Sequence, residues 1–228
     1  RGLRFAARFG FRIDPDTWQA MQSAAPGLVG LSAERVRDEW MKGLQTARQV
    51  PELVRLWHAS GAAAVVLPEL RPGGDLSDPD AAPRDPVLLT TLLVDQPSEV
   101  LSRLKSSRAD IQRAGRIATG PAAPAHEDAR TVRRWLASVG VAADDLLRVH
   151  AIRTGQPAPW LPVVEEIRAR GDALDRGSLA ISGHDLAQAG LARGPAMGTM
   201  LERLLEEVLE DPSRNTKDHL LARARELA

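Results

Sequence analysis

The chain has 228 residues, is 43% hydrophobic and carries 30 basic against 30 acidic side chains, for a formal net charge of zero. That length buries a proper core in one large domain or two to three small helical ones. No apolar run approaches the roughly 18 residues that span a bilayer. The complete lack of cysteine excludes disulfides, thiolate metal sites and cysteine nucleophiles, and a cytoplasmic location is the default expectation. Lysine occurs only at Lys42, Lys105 and Lys217, so 27 of the 30 basic residues are arginine. Arginine offers planar, multidentate contact to phosphate, although a GC-rich coding sequence produces the same bias.

Aromatic residues make up 4% and tyrosine is absent, so β-propensity is low, and apolar spacings of three and four recur along the chain. The expected fold class is all-α. Arg1 to Arg8 reads as a helix ended by a turn at Gly10. Asp14-Pro15 supplies a cap and a first-turn proline for a second helix that stops at Pro26-Gly27. Ser32 caps a third, with Val36, Trp40 and Leu44 as its buried stripe. A fourth runs from Pro51 towards Gly61, and a short apolar fifth ends near Leu70. Arg71 to Pro86, rich in Pro, Gly and Asp, reads as a surface loop.

Helices resume at 87–94, 98–104 and 108–118, and Thr119 to Ala125 is the best candidate linker. Further helices are expected at 127–138, 142–153 and 160–174. Ser182 with Asp185, and Asn215 with Asp218, read as capping boxes with Asp in place of Glu. Between them Gly194-Pro195 opens a helix carrying Met197, Leu201, Leu204, Leu205, Val208 and Leu209 near one face. The expected divisions are 1–46, 47–118, a linker at 119–126, and 127–228. Because the first residue is not methionine and falls inside a helical pattern, it reads as an internal point of a longer protein.

Four groups of residues are candidates for chemistry. Arg1, Arg4, Arg8 and, if the helix persists, Arg12 follow steps of three and four and align on one helical face. Leu3, Phe5, Ala6, Ala7 and Phe9 fill the remainder and are expected to pack against protein. No acid occurs before Asp14, so the row reads either as a phosphate-facing stripe or as a basic face paired to another helix. The second group is Glu34, Arg35, Arg37, Asp38 and Glu39, where Glu34/Asp38 and Arg35/Glu39 stand at i,i+4. Ion pairing is the plain reading there, with metal binding by Glu34 and Asp38 a minor alternative.

Arg130, Arg133 and Arg134 form a basic helix face that offers RNA backbone contacts or simply solubility. Gly190, Gly194 and Gly198 around Pro195 form a small-residue zone whose free N–H groups can receive a phosphate or whose lack of side chains allows close packing. His184-Asp185 lacks the further His and Asp ligands that a metal phosphohydrolase needs. Neither a P-loop nor a GxGxxG segment is present.

The residues resemble one family. RGLRFAARFGFRIDPDTWQAM is similar to the segment after the catalytic head of bacterial tRNA nucleotidyltransferases and the related poly(A) polymerases, usually RxxRFAARLGF followed by an Ile-Asp-Pro turn. LVGLSAERVRDEWMKGL resembles their neck helix, and VRLWHASGAAAVVLPEL their segment from a leucine-rich helix to Leu-Pro-Glu. ISGHDLAQAGLARGPAMGTMLERLLEEVLEDPSRNTKDHLLARA is similar to their C-terminal element. These blocks cover about residues 1–70 and 181–225; the middle resembles the family only as helical filler.

The resemblance implies CMP and AMP transfer from CTP and ATP to the 3′ end of tRNA, or else poly(A) addition, by neck, body and tail regions without the α/β head. It implies that Mg²⁺ ligands and the base-reading Glu-Asp-x-x-Arg residues lie upstream of residue 1, so that the 228 residues alone are inactive. Arg1, Arg4, Arg8, Glu34 and Arg35 match positions that border the nucleotide pocket. Arg130, Arg133, Arg134, Gly194 and Gly198 are expected against tRNA. A stand-alone helical RNA-binding or scaffold protein is the alternative.

Overall fold

A computed structural model describes residues 1–73, 76–191 and 194–228. Among them fourteen α-helices occur and no strand, only an isolated antiparallel bridge between Leu70 and Val94. Gly74 and Asp75 of the expected loop, and Ala192 and Arg193 ahead of Gly194, lie outside the described residues. No described helix is long and apolar enough to cross a membrane.

The chain forms two compact units, Arg1–Ala122 with Asp144–Ala158, and Ala123–Ala143 with Pro159–Ala228. Residues 1–46 and 47–118 therefore share one core, and 144–158 returns to it, whereas the sequence suggested a contiguous 127–228. The reason is tertiary: residues 143–154 form one helix whose polar partners, described below, lie in the 80s and 110s, and no local pattern announces such pairing.

In the first unit α1 (Gly2–Phe9), α2 (Pro15–Ala24), α3 (Ala33–Thr46), α4 (Val50–Ala59) and α5 (Ala62–Val66) follow one another closely. Asp14 caps α2 through the N–H groups of Asp16 and Thr17, and Ser32 caps α3 by accepting from Arg35 N. Past Ala24 the chain tightens into a 3₁₀ turn, Ala25–Gly30, where Pro26 lacks a backbone N–H and Gly27 and Gly30 favour the α-helix poorly. Val36, Trp40 and Leu44 of α3 are buried as a stripe and pack with Leu53 and Trp57 of α4. Gly43 permits that crossing, because a Cβ there would stand 3.0 Å from Leu53 Cδ2.

The unit is completed by α6 (Pro86–Leu93), α7 (Pro97–Arg103), α8 (Arg108–Thr119) and, from residue 144 onward, α10 (Ala143–Thr154). Ser77 and Asp78, ahead of α6, are anchored: both donate backbone N–H groups to Ile152 O, at 3.0 and 2.9 Å. Arg84 closes the C-terminus of α3 by donating to Leu44 O and Ala47 O, at 3.0 and 3.1 Å.

Asp85 caps α6 and also accepts from Arg113 of α8 at 2.6 Å and Arg148 of α10 at 3.2 Å, while Arg113 grips Asp145 through two nitrogens, at 2.8 and 2.6 Å. Burial is the largest influence on Asp85 and raises its pKa, but the Arg113 hydrogen bond, the Leu88 N–H and the two guanidinium charges outweigh it, so the carboxyl sits below its usual range. A carboxylate held low in the fold adds stability that is present above the ordinary unfolded value of about 4 and is lost as pH falls through the folded value. Arg113→Met is therefore expected to cost about 2 kcal/mol at neutral pH, less than a fully buried pair because Arg148 remains. Urea denaturation at pH 7 and near pH 3 is expected to show the deficit shrinking in acid.

The second unit comprises α9 (Ala129–Val139), α11 (Leu161–Arg170), α12 (Gly183–Gln188), α13 (Pro195–Glu210) and α14 (Lys217–Leu227). Its core gathers Leu179, Ile181, Leu186, Met200, Leu204, Val208 and Leu220. Trp135 of α9 meets Trp160 edge to face, with ring centroids 6.1 Å apart. The Ser182/Asp185 capping box forms as expected. The Asn215/Asp218 box does not: Thr216 caps α14, and the Asn215 amide instead accepts from Ala180 N at 2.7 Å and donates to Ser178 O at 3.1 Å.

Candidate nucleotide and RNA interface

The first candidate surface grows from the way α1 is seated. Leu3, Ala6 and Ala7 are its buried face, which turns Arg1, Arg4 and Arg8 away from the core. Gly10, at φ 70°, ends the helix in the left-handed region, so Arg12 falls outside it and the row stops at Arg8. The row is also not free of acid. Glu39, one turn beyond Arg35 on α3, accepts from Arg4 Nε at 2.8 Å and lies 3.5 Å from Arg1 Nε.

Arg4 is thereby pinned with 13% of its side chain exposed, while Arg1 keeps 82%. Burial pushes the Glu39 pKa up, but the Arg4 hydrogen bond and the neighbouring positive charges overcome this and hold it below the usual value. The i,i+4 pair expected between Arg35 and Glu39 is displaced by these longer-range partners. Asp38 pairs with Arg37 at 3.0 Å.

Arg1, Leu31, Arg35, Asp38, Glu39 and Lys42 line a cleft of about 450 Å³. With Glu39 and Asp38 each committed to arginine, Arg35 and Lys42 are exposed cations with no carboxylate at ion-pair distance among the described residues. Arg1 also lines an apolar cleft of about 210 Å³ that includes Leu3, Met21, Ala24 and Leu28. Glu34 is exposed on the first turn of α3. Cations beside an apolar hollow suit a ligand with a phosphate and a base.

Mg²⁺ is a different matter. Among the described residues no three His, Asp or Glu side chains converge as ligands, and the two carboxylates of the cleft are held by guanidinium groups. The residues present do not fit that ion. His184 is an exposed first-turn residue of α12, and Asp185 is used by Ser182 and Lys217.

The second candidate surface, on α9, separates into unlike residues. Arg133 points inward: Nε donates to Leu209 O at 2.9 Å, Nη2 to Glu210 O at 3.1 Å, and Nη1 lies 3.4 Å from Asp172. It closes the C-terminus of α13, so its guanidinium is not presented to a phosphate. Arg130 and Arg134 remain exposed and pair with Glu210 at 3.2 and 2.6 Å, Arg134 also with Glu206 at 3.2 Å. Gly194 precedes α13 at φ 59°, and a Cβ on Gly198 would stand 3.5 Å from Arg176 Nη1, an ordinary contact that a side chain could make, so close packing does not require a glycine there.

A family model described as tRNA nucleotidyltransferase domain 2, putative, matches residues 87–224. The chain belongs to the tRNA nucleotidyltransferase family. A second model, described as the probable RNA and SrmB-binding site of polymerase A, matches residues 10–73. The CCA-adding enzyme of Geobacillus stearothermophilus is 28% identical over 97% of this chain and 57% of that protein, and that of Geobacillus kaustophilus 30% identical over the same shares.

A crystal structure of the Bacillus stearothermophilus CCA-adding enzyme in complex with CTP superposes with a TM-score of 0.77 at 27% identity, covering 100% of this chain and 60% of that one. The chain thus spans under two thirds of the length of these relatives. Its 228 residues correspond to the all-helical neck, body and tail of the family and not to the α/β catalytic head.

Sequence reasoning missed Glu39 as the clamp of the arginine row, Lys42 as the second free cation, and the inward turn of Arg133. Lys42 was legible, two helical turns beyond Arg35 on the same α3 face. Glu39 was not, because its partner Arg4 is 35 positions away.

Proposed function

We propose that this chain holds RNA and borders the nucleotide pocket in an enzyme that adds CMP and AMP from CTP and ATP to the 3′ end of tRNA. The observation that carries the reading is the cleft of α1 and α3, where Arg35 and Lys42 stand uncompensated beside Arg1 and an apolar hollow, in a chain so similar to an enzyme crystallised with CTP. Arg1, Arg35 and Lys42 receive the phosphates, Arg4 and Glu39 hold Arg1 in place, and Glu34 and Arg8 flank the site.

Metal-bound carboxylates come from a head domain outside residues 1–228. Arg130 and Arg134 reach RNA only by exchanging Glu210 and Glu206 for phosphate, and Gly194 and Gly198 leave the α13 N-terminus open for backbone approach. The test mixes the purified chain with tRNA lacking its terminal CCA, labelled CTP and Mg²⁺. Expected are tRNA binding that weakens steeply with salt and no transfer of label. Incorporated CMP would show that the chain has its own metal carboxylates, and failure to bind tRNA at low salt would remove the RNA-holding role.

A further inference from the structure

All three phenylalanines of the chain lie within residues 5–11, and all three are outside the core, with Phe5 40%, Phe9 45% and Phe11 64% exposed. Sequence reasoning expected Phe5 and Phe9 to pack against protein; Leu3, Ala6 and Ala7 take that role instead. The rings stack on one another. Phe5 and Phe9 stack with centroids 6.1 Å apart and planes at 22°, and Phe9 and Phe11 at 5.2 Å and 26°. The left-handed turn at Gly10 brings Phe11 back alongside Phe9.

The surroundings are cationic. Arg4 lies over the Phe5 ring at 4.4 Å and Arg8 over Phe9 at 5.0 Å. Arg48 passes so close that a Cβ on Gly10 would stand 3.0 Å from its Nη1. Arg8, Arg12 and Arg48 are exposed, and none has a carboxylate at ion-pair distance among the described residues.

We propose that Phe5, Phe9 and Phe11 form a stacking platform for unpaired nucleotides of RNA, with Arg8, Arg12 and Arg48 taking the phosphates. The inference rests on the RNA-holding role above and names which part of the RNA this face receives. A purely apolar protein partner would strip water from three guanidinium groups without supplying a carboxylate for any of them. A single strand supplies a negative charge for each of them and an unpaired base to extend the ring stack at its more exposed Phe11 end, the combination by which proteins hold unpaired strands without reading sequence. A duplex offers the charges, but its bases are already stacked on one another.

The discriminating change is Phe→Leu, which keeps apolar bulk and removes the aromatic face. Fluorescence anisotropy with a labelled single-stranded RNA of about 10 nucleotides, and with its duplex, is measured for the chain and for F9L and F11L. Each substitution is expected to weaken single-strand binding roughly tenfold and leave duplex and whole-tRNA binding within about twofold, while Arg12→Gln lowers the salt dependence by about one phosphate contact.

Unchanged single-strand affinity of F9L and F11L, with tRNA bound normally, would overturn the platform alone. Binding of neither tRNA nor single strand at low salt would overturn the platform and the RNA role together. Self-association of the chain that survives Phe→Leu but is lost on Phe→Ala would show that the face serves apolar protein contact, which also overturns it.

Discussion

Replacing Trp40 with alanine is expected to destabilise the first unit by about 3–5 kcal/mol, the range for deleting a large buried aromatic side chain. Trp40 is 0% exposed. Its ring meets Trp57 edge to face, with centroids 5.0 Å apart at 72°, a geometry worth about 1 kcal/mol beyond burial. Its indole N–H donates to Thr90 Oγ1 at 2.9 Å, and that hydroxyl in turn donates to Pro86 O at 2.7 Å.

Alanine leaves a cavity between α3, α4 and α6 and takes away the donor to Thr90. Trp40→Phe keeps most of the volume, and Thr90 retains Pro86 as its own acceptor, so about 1–2 kcal/mol is expected. Chemical denaturation followed by circular dichroism measures both. Equal losses for the two variants would show that the hydrogen bond, not the packing, dominates. The consequence reaches the cleft, because α3 carries Arg35, Glu39 and Lys42 on the side away from this contact, and their spacing depends on the helix staying seated.

What was legible in the sequence is what local chemistry decides. The Asp14 and Ser32 caps, the Val36, Trp40 and Leu44 stripe and the Ser182/Asp185 box each depend on residues within one or two turns, and each formed. Asn215 was misread because its amide serves Ala180, 35 positions away, while the neighbouring Thr216 takes the cap. The arginine row on α1 was legible as a row, but its partner was not: acids absent from the first 13 residues are supplied by α3. The phenylalanines were misplaced for a related reason. Helical periodicity tells which residues share a face, and α1 has apolar residues on two faces, of which only the one with small side chains fits against α3 and α4.

Arg133 is the sharper case, and Arg133→Met is expected to destabilise the second unit by about 3 kcal/mol, the lower end for breaking a buried ion pair. Its side chain is 7% exposed and faces Asp172 at 4%. Removing the guanidinium leaves the Leu209 and Glu210 carbonyls at the end of α13 without their donor and Asp172 with Arg170 alone, at 3.1 Å. That surviving partner is why the lower figure applies.

Arg130→Gln and Arg134→Gln break only exposed pairs and are expected to cost under about 1 kcal/mol each. Sequence spacing placed all three on one basic face, yet Arg133 stands one turn before Leu136, inside the apolar stripe of Val132, Trp135, Leu136 and Val139. An arginine in such a position has its stem in the core and must find acceptors there. Denaturation of the three variants and their tRNA affinity, measured side by side, separate the roles. Arg133→Met is expected to lose stability, with tRNA binding falling only where the unit unfolds. A variant of normal stability with weakened tRNA binding would mean that Arg133 turns outward in solution and meets phosphate after all.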